Sequence, residues 1–431
     1  MPPFSSSSSA IPRIIAMISR AYSTVPTTTS PRPAPSKQHL VHSYPPEAFP
    51  FGFAVASAYG GVKKKKGALD LGILASTSDR PCSAAACLTR NVFKAAPVTV
   101  TTELLYKGKG RARGFVVNSG NANAVTGKKG LEDAWAMSNT VSSDLSPPPE
   151  SSNTEPPGIL VMSTGVIGQF LPIESITSTL PSLTASLSST PEAWLDLAKA
   201  FMTTDTFPKL RTRSFTLGDR LIRMVGIDKG AGMIAPNMGP PLAPHATLIG
   251  VIATDAAVEP KALQSALDYA VDRSFNSITV DGDMSTNDTI LFLANGEAGK
   301  AESGGRESGG SRMEELTEER NPEEYAKFRE ELREFAEELA QLVVRDGEGA
   351  TKFVTVRVQV RDCFSCLYTE LIVWAGCCDF RRRECCCEIC RFVLAGQDGL
   401  IWRRHVGAFR LKTCTDMFLA DANWGRILCA V

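Results

Sequence analysis

Two apolar runs, Leu221 to Ile227 and Leu248 to Ala253, frame the segment Lys229-Gly230-Ala231-Gly232-Met233-Ile234-Ala235-Pro236-Asn237-Met238. This junction restricts the chain more than any other stretch. The flanking runs read as buried strands. The glycines let backbone approach a reacting centre closely, and Pro236 breaks any helix that would present a row of amides. A phosphate loop is therefore excluded, because no Gly-Lys-Ser or Gly-Lys-Thr closes the run. Lys229 is a candidate cation for a substrate carboxylate. After seven intervening residues beyond Met238 the chain reads Ala246-Thr247-Leu248-Ile249-Gly250.

Elsewhere, short apolar runs alternate with Gly-rich or basic turns. Gly72 to Ala75, Val98 to Thr101, Gly114 to Val117 and Gly158 to Met162 read as strands. Helical periodicity marks Pro191 to Met202, Pro260 to Phe275 and Asn321 to Val344. Ser142 to Pro157 reads as a surface loop, and Gly299 to Arg312 as a flexible Gly/Ser/charge-rich insertion. No internal repeat is present. Strands and helices in these proportions predict an α/β class, an α+β layered sandwich.

The chain has 431 residues, 43% of them hydrophobic, enough for a large core. Lys plus Arg and Asp plus Glu both number 46, so no overall field favours nucleic acid or an anionic membrane, and a small-molecule substrate is expected. No uncharged apolar run approaches the roughly 20 residues of a membrane-spanning helix. Before Glu47 the chain carries Arg13, Arg20, Arg32 and Lys37 but no acid, with many Ser, Thr and Pro. Residues 1–45 therefore read as a mitochondrial transit peptide and disordered lead, with processing expected near Ala21 to Thr24. Asp281 and Asp283 stand close together without a His, which suits turn and core hydrogen bonding better than a metal.

The chain resembles the ornithine acetyltransferase family, also called glutamate N-acetyltransferases, in its mitochondrial, fungal type. The resemblance runs from about Phe51 to Val358. It is carried by Lys66-Gly67 with Asp70-Leu71, Asn91 with Ala95 to Val98, Asn118 to Ala124 and Ser163-Thr164-Gly165-Val166-Ile167-Gly168. It continues through Thr203 to Lys209, the Lys229 segment, Thr254-Asp255-Ala256, Val280 to Thr289 and Arg345 to Phe353.

This resemblance implies the self-processing N-terminal-nucleophile fold shared with certain aminopeptidases. It implies a precursor that cuts itself between Ala246 and Thr247 into an alpha chain (46–246) and a beta chain starting at 247, the two assembling as a heterotetramer. Thr247 would become the nucleophile, its new α-amine serving as a built-in base with a pKa near 8. The implied reaction moves acetyl from N-acetylornithine to glutamate through an acetyl-threonine, with acetyl-CoA as an optional co-substrate and no other cofactor. Thr164 and Gly165 would stabilise the oxyanion, whose loss of one donor typically costs about 100 to 1000-fold in rate. Thr203, Lys229 and Glu348 would line the substrate site with Thr247. Charge then suggests Lys229 for the α-carboxylate and Glu348 for the substrate's amino end. The implied compartment is the mitochondrial matrix, and the pathway arginine biosynthesis.

Two departures accompany the resemblance. Gly239 to His245 lengthens the approach to the Ala246-Thr247 bond, an insertion that costs little loop entropy. After Val358 the family-like text stops, and 359–419 holds nine of the twelve cysteines before family-like text resumes over 420–431. Cys363-x-x-Cys366 and Cys387-x-x-Cys390 match a zinc-ribbon spacing. Yet Cys377-Cys378 and Cys385-Cys386-Cys387 do not look like a tuned ligand set, so this segment is read as a retained intron or frameshift with no metal. The family's C-terminal segment that closes over substrate is expected to be missing. Two further readings are a self-processing aminopeptidase or amidase, in which water replaces glutamate, and an inactive cysteine-rich metal-binding variant.

Overall fold

The computed structural model describes residues 36–145, 158–241, 248–298, 314–350 and 352–360, and beyond them the backbone of a few short strands. Residues 1–35 of the expected lead, the Gly299 to Arg312 insertion, His245 and the Ala246-Thr247 bond lie outside the described residues, as do Cys363 and Cys366. Residues 36–45 of that lead are ordered, contrary to expectation, because Lys37 Nζ pairs with Asp346 Oδ1 at 3.0 Å and Arg211 donates to Leu40 O at 3.0 Å.

Among the described residues eleven strands build the two main sheets and a twelfth follows them. They are β1 (Phe53–Ala58), β2 (Leu71–Ser76), β3 (Cys82–Thr89), β4 (Arg111–Ala112), β5 (Gly114–Asn121) and β6 (Ile159–Val166), then β7 (Lys209–Leu217), β8 (Arg220–Lys229), β9 (Met238–Gly239), β10 (Ile249–Thr254), β11 (Thr289–Ala294) and β12 (Thr355–Val360). Six α-helices accompany them: α1 (Ala96–Lys107), α2 (Gly127–Asp144), α3 (Ile173–Ala185), α4 (Pro191–Phe201), α5 (Pro260–Asp272) and α6 (Pro322–Arg345).

One sheet has the order β1-β2-β5-β6, and the second runs β4-β3-β11-β10-β8-β7 with β9 beside β3. Only β5/β6 and β10/β11 pair parallel within these two sheets. The first core cluster joins residues of both sheets, such as Phe53, Ile73 and Val116 with Val225, Val251 and Leu291, to the helices α1 to α4. The second covers the other face of the larger sheet, packing Met224, Ile252 and Phe292 against α5 and α6. The result is helices, sheet, sheet, helices, the expected layered α/β sandwich. Every residue of β10 and β11 is buried, because these central strands are covered on both faces. β12 pairs antiparallel with Thr369–Leu371 through Val356 to Val358 and with Cys390–Ala395 along its whole length.

The helices follow their local signals. At the start of α4 the Thr190 hydroxyl accepts from Ala193 N at 3.3 Å and Pro191 holds the first position. Trp194, Leu197, Ala198 and Phe201 then fall on its buried face. In α6, Phe328, Leu332, Phe335, Leu339 and Val343 form the inward stripe, with Glu323 and Glu324 in the first turn and Arg345 in the last.

Two expectations change. Val98 to Thr101 is helical, because Pro97 starts α1 and the run buries Val98, Thr101, Leu104 and Leu105 at helical spacing. Ser142 to Asp144 belong to α2 rather than to a loop. No helix among the described residues is long and apolar enough to cross a membrane.

Candidate active site

Ile249, near the start of β10, is the meeting point of the site. It pairs with Lys229 across antiparallel β8 and with Thr289 across parallel β11. The Thr289 amide donates to the carbonyl of Leu248, the residue bonded to Thr247. The backbone just downstream of Thr247 is therefore gripped between Lys229 and the segment entering β11.

That segment also reaches the other sheet. The Asn287 amide nitrogen donates to Ala122 O at 2.6 Å and to Ser163 O at 2.9 Å, while Ser163 Oγ donates to Asn118 Oδ1 at 2.6 Å. Asn287 thus ties the strand end holding Thr164 and Gly165 to the entry of β11. Gly165 itself pairs with Gly120 and has φ of 132°, and a side chain there would collide with the Asn121 nitrogen at 2.5 Å. Thr164 is almost covered, whereas Gly165 is open to solvent.

Lys229 is buried, yet its ammonium makes no ion pair or hydrogen bond among the described residues. Burial pulls its pKa down, opposed by Asp205, Asp288 and Glu348, while Lys209 adds to the lowering. The next residue is tied to its surroundings: Gly230 N donates to Asp205 Oδ1 at 2.7 Å, and Thr203 N donates to Asp205 Oδ2 at 2.9 Å. Asp205 therefore brings the Thr203 loop against the Lys229 loop. Beneath it, Lys209 Nζ bridges Asp205 Oδ1 at 2.6 Å and Asp346 Oδ2 at 2.7 Å. Burial alone would raise the Asp205 pKa, but the Lys209 and Lys229 ammoniums outweigh it and hold the carboxyl below the usual range.

Glu348 lies in the loop after α6, as its sequence context suggests. Its amide donates to Ala231 O at 2.6 Å. Its exposed carboxylate lies directly over Gly232, where a Cβ would sit 2.5 Å from Oε1. Thr203, Lys229 and Glu348 thus converge on one glycine segment, with Thr203 partly exposed and the Thr164-Gly165 strand end joined to the same region through Asn287. Asp281 binds backbone, accepting from Ile234 N at 2.8 Å, and braces the far end of that segment.

Sequence reasoning missed three charged groups here. Asp205 and Asp288 sat inside recognised motifs without being singled out. Asp288 is fully buried with no partner for either oxygen, and burial pushes its pKa well above the carboxylate range against the opposing pull of Lys229. The third is Lys63, the innermost of four consecutive lysines.

A buried cation with no ion pair among the described residues, an acid across a glycine segment and an open strand end thus lie together within an α/β enzyme fold. The sequence profile of the ArgJ family matches residues 54–363. The arginine biosynthesis bifunctional protein ArgJ, mitochondrial, of Cryptococcus neoformans var. neoformans is 61% identical over 431 residues, covering 100% of this chain and 81% of that protein. The Postia placenta protein of the same description is 56% identical over 340 residues, covering 77% of this chain and 70% of its own length. The crystal structure of ArgJ from Bacillus halodurans shares 35% identity, with a TM-score of 0.40 and coverage of 44% of this chain and 92% of that one. Ornithine acetyltransferase from Mycobacterium tuberculosis, solved with ornithine, shares 31% identity at a TM-score of 0.37, covering 44% of this chain and 95% of that one. This chain belongs to the ArgJ family.

Proposed function

We propose that this protein is a self-cleaving acyltransferase of arginine biosynthesis that moves acetyl from N-acetylornithine to glutamate. The observation that carries the reading is the buried Lys229, whose ammonium has no ion pair or hydrogen bond among the described residues and whose register partner Ile249 stands two positions from Thr247. Scission before Thr247 converts an amide nitrogen, which cannot act as a base, into an amine that can. The Thr247 hydroxyl then attacks the acetyl carbon of the donor, its proton passes through the amine to the departing nitrogen, and ornithine leaves. Glutamate's α-amine takes the acetyl group in the reverse sense. Thr164 and Gly165 stabilise the oxyanion of each step. Lys229 receives the α-carboxylate common to both substrates, Glu348 receives the ornithine ammonium, and Thr203 completes the wall. Acetyl-CoA serves as a second acetyl donor, and no other cofactor is needed. The two chains remain associated as a heterotetramer in the mitochondrial matrix.

Denaturing electrophoresis with N-terminal sequencing tests the first step: the smaller fragment begins at Thr247. Incubation with N-acetylornithine and glutamate tests the second, yielding N-acetylglutamate and ornithine in equal amounts. Acetate in place of N-acetylglutamate would make the protein an amidase instead.

A further inference from the structure

The substrates assigned above pose a charge problem that Lys229 and Glu348 do not solve. Donor and acceptor share an α-carboxylate, but the donor's side chain ends in an ammonium and the acceptor's in a second carboxylate. A ping-pong site must hold both tails in turn, and the second carboxylate calls for a second cation. Lys209 cannot supply it, being buried and already bonded to two aspartates.

Lys63 lies where such a cation is needed. Among Lys63, Lys64, Lys65 and Lys66, only Lys63 is turned inward; the other three are exposed. Its backbone is fixed by Asp70, whose carboxylate accepts from the amides of Gly60 at 2.5 Å, Val62 at 2.8 Å and Lys63 at 2.8 Å. Its stem crosses the face of Gly120, where a Cβ would come within 3.1 Å of Lys63 Cγ. Gly120 has φ of 110° and pairs directly with Gly165. A glycine at 120 therefore both adopts the turn and leaves room for the lysine beside the oxyanion strand end. The ammonium donates to Leu69 O at 2.6 Å, using one of its three donors. Burial lowers its pKa, countered by Asp70 and Asp205, and the Lys229 charge is felt there too. The two lysines thus share one electrostatic environment, both acted on by Asp205.

We propose that Lys63 selects the acceptor by binding the side-chain carboxylate of glutamate. This rests on the acetyl-transfer reading above. The donor half-reaction does not use it, since ornithine's tail is cationic and is repelled by a second lysine.

The test uses the full-length, self-cleaved enzyme and its Lys63→Gln and Lys63→Arg variants, with glutamate and glutamine compared as acceptors. Lys63→Gln is expected to raise the KM for glutamate at least tenfold and to abolish most of the preference for glutamate over glutamine. The KM for N-acetylornithine and the single-turnover release of ornithine without acceptor stay within twofold, which also reports an intact fold. Lys63→Arg restores the glutamate preference. If Lys63→Gln keeps that preference, or raises both KM values together, the inference is overturned while the functional reading stands. A wild-type enzyme forming no N-acetylglutamate overturns both.

Discussion

Lys229 and Asp288 stand on opposite sides of Ile249, one as its partner across β8 and the other just ahead of Thr289, its partner across β11. Both are buried, and neither is hydrogen-bonded to the other. Asp288 keeps its proton in the fold well above the carboxylate range, because burial penalises its anion. In the unfolded chain it ionises near pH 4. The unfolded state therefore binds fewer protons above that pH, and Asp288 costs stability progressively as pH rises toward its native pKa. Asp288→Asn removes this slope. Its melting temperature relative to wild type is expected to climb between pH 5 and pH 8, and a constant difference across that range would refute the assignment.

Lys209, by contrast, stabilises the fold at neutral pH, because its charged form is the one the interior favours. Burial alone would lower its pKa, yet Asp205 and Asp346 outweigh this and raise it. Replacing it with Met leaves the buried Asp205 carboxylate without its ion-pair partner and Asp346 with Lys37 alone, and breaking a buried pair in this way typically destabilises by about 3–5 kcal/mol. Urea denaturation at pH 7 measures the loss. Asp205, held below the carboxylate range, contributes stability that is present above about pH 4 and fades as pH falls through its native pKa. Lys209→Met is therefore expected to flatten the acid limb of the stability profile; an unchanged limb would contradict the bridge.

Much of the frame was legible because burial on two faces leaves continuous apolar runs, as in Leu248 to Ala253, and burial on one face leaves helical stripes, as in α4 and α6. Val98 to Thr101 misled because β-branched residues favour strands only weakly, and packing of Val98, Thr101 and Leu105 overrode that preference. In α3, Ser and Thr residues and an internal Pro181 hide the apolar stripe of Ile176, Leu180 and Leu183. At the site, Lys229 could be named from its glycine context, and Glu348 only through the family resemblance. Lys63 could not, since a run of four lysines reads as solvated. Only the folded turn around Asp70 separates it from its neighbours.

Asn287 holds two carbonyls from the opposite sheet, and Asn287→Ala would strand both Ala122 O and Ser163 O. A buried acceptor left unpaired costs about 1–3 kcal/mol. The larger consequence falls on Thr164, whose strand end loses its tie to β11. Asn287→Ala is expected to lower kcat at least tenfold with little change in either KM, measured by N-acetylglutamate formation. An equal fall in affinity for both substrates would point instead to general loosening of the pocket.

Gly165 and Gly232 should separate turnover from binding. At Gly165 a methyl group meets backbone, the Asn121 nitrogen at 2.5 Å, and φ of 132° disfavours any side chain, so nothing can move aside cheaply. At Gly232 the obstacle is the end of the Glu348 side chain, with Oε1 at 2.5 Å, which can swing into solvent. Gly165→Ala is therefore expected to cut kcat by about 100-fold or more, the scale of a lost oxyanion donor. Gly232→Ala is expected to raise the KM for N-acetylornithine several-fold while leaving kcat near wild type, because only the carboxylate that receives the ornithine tail is displaced. Steady-state kinetics on both variants decides this, and a kcat loss at Gly232 equal to that at Gly165 would show that the glycine segment shapes the reacting centre rather than the tail pocket.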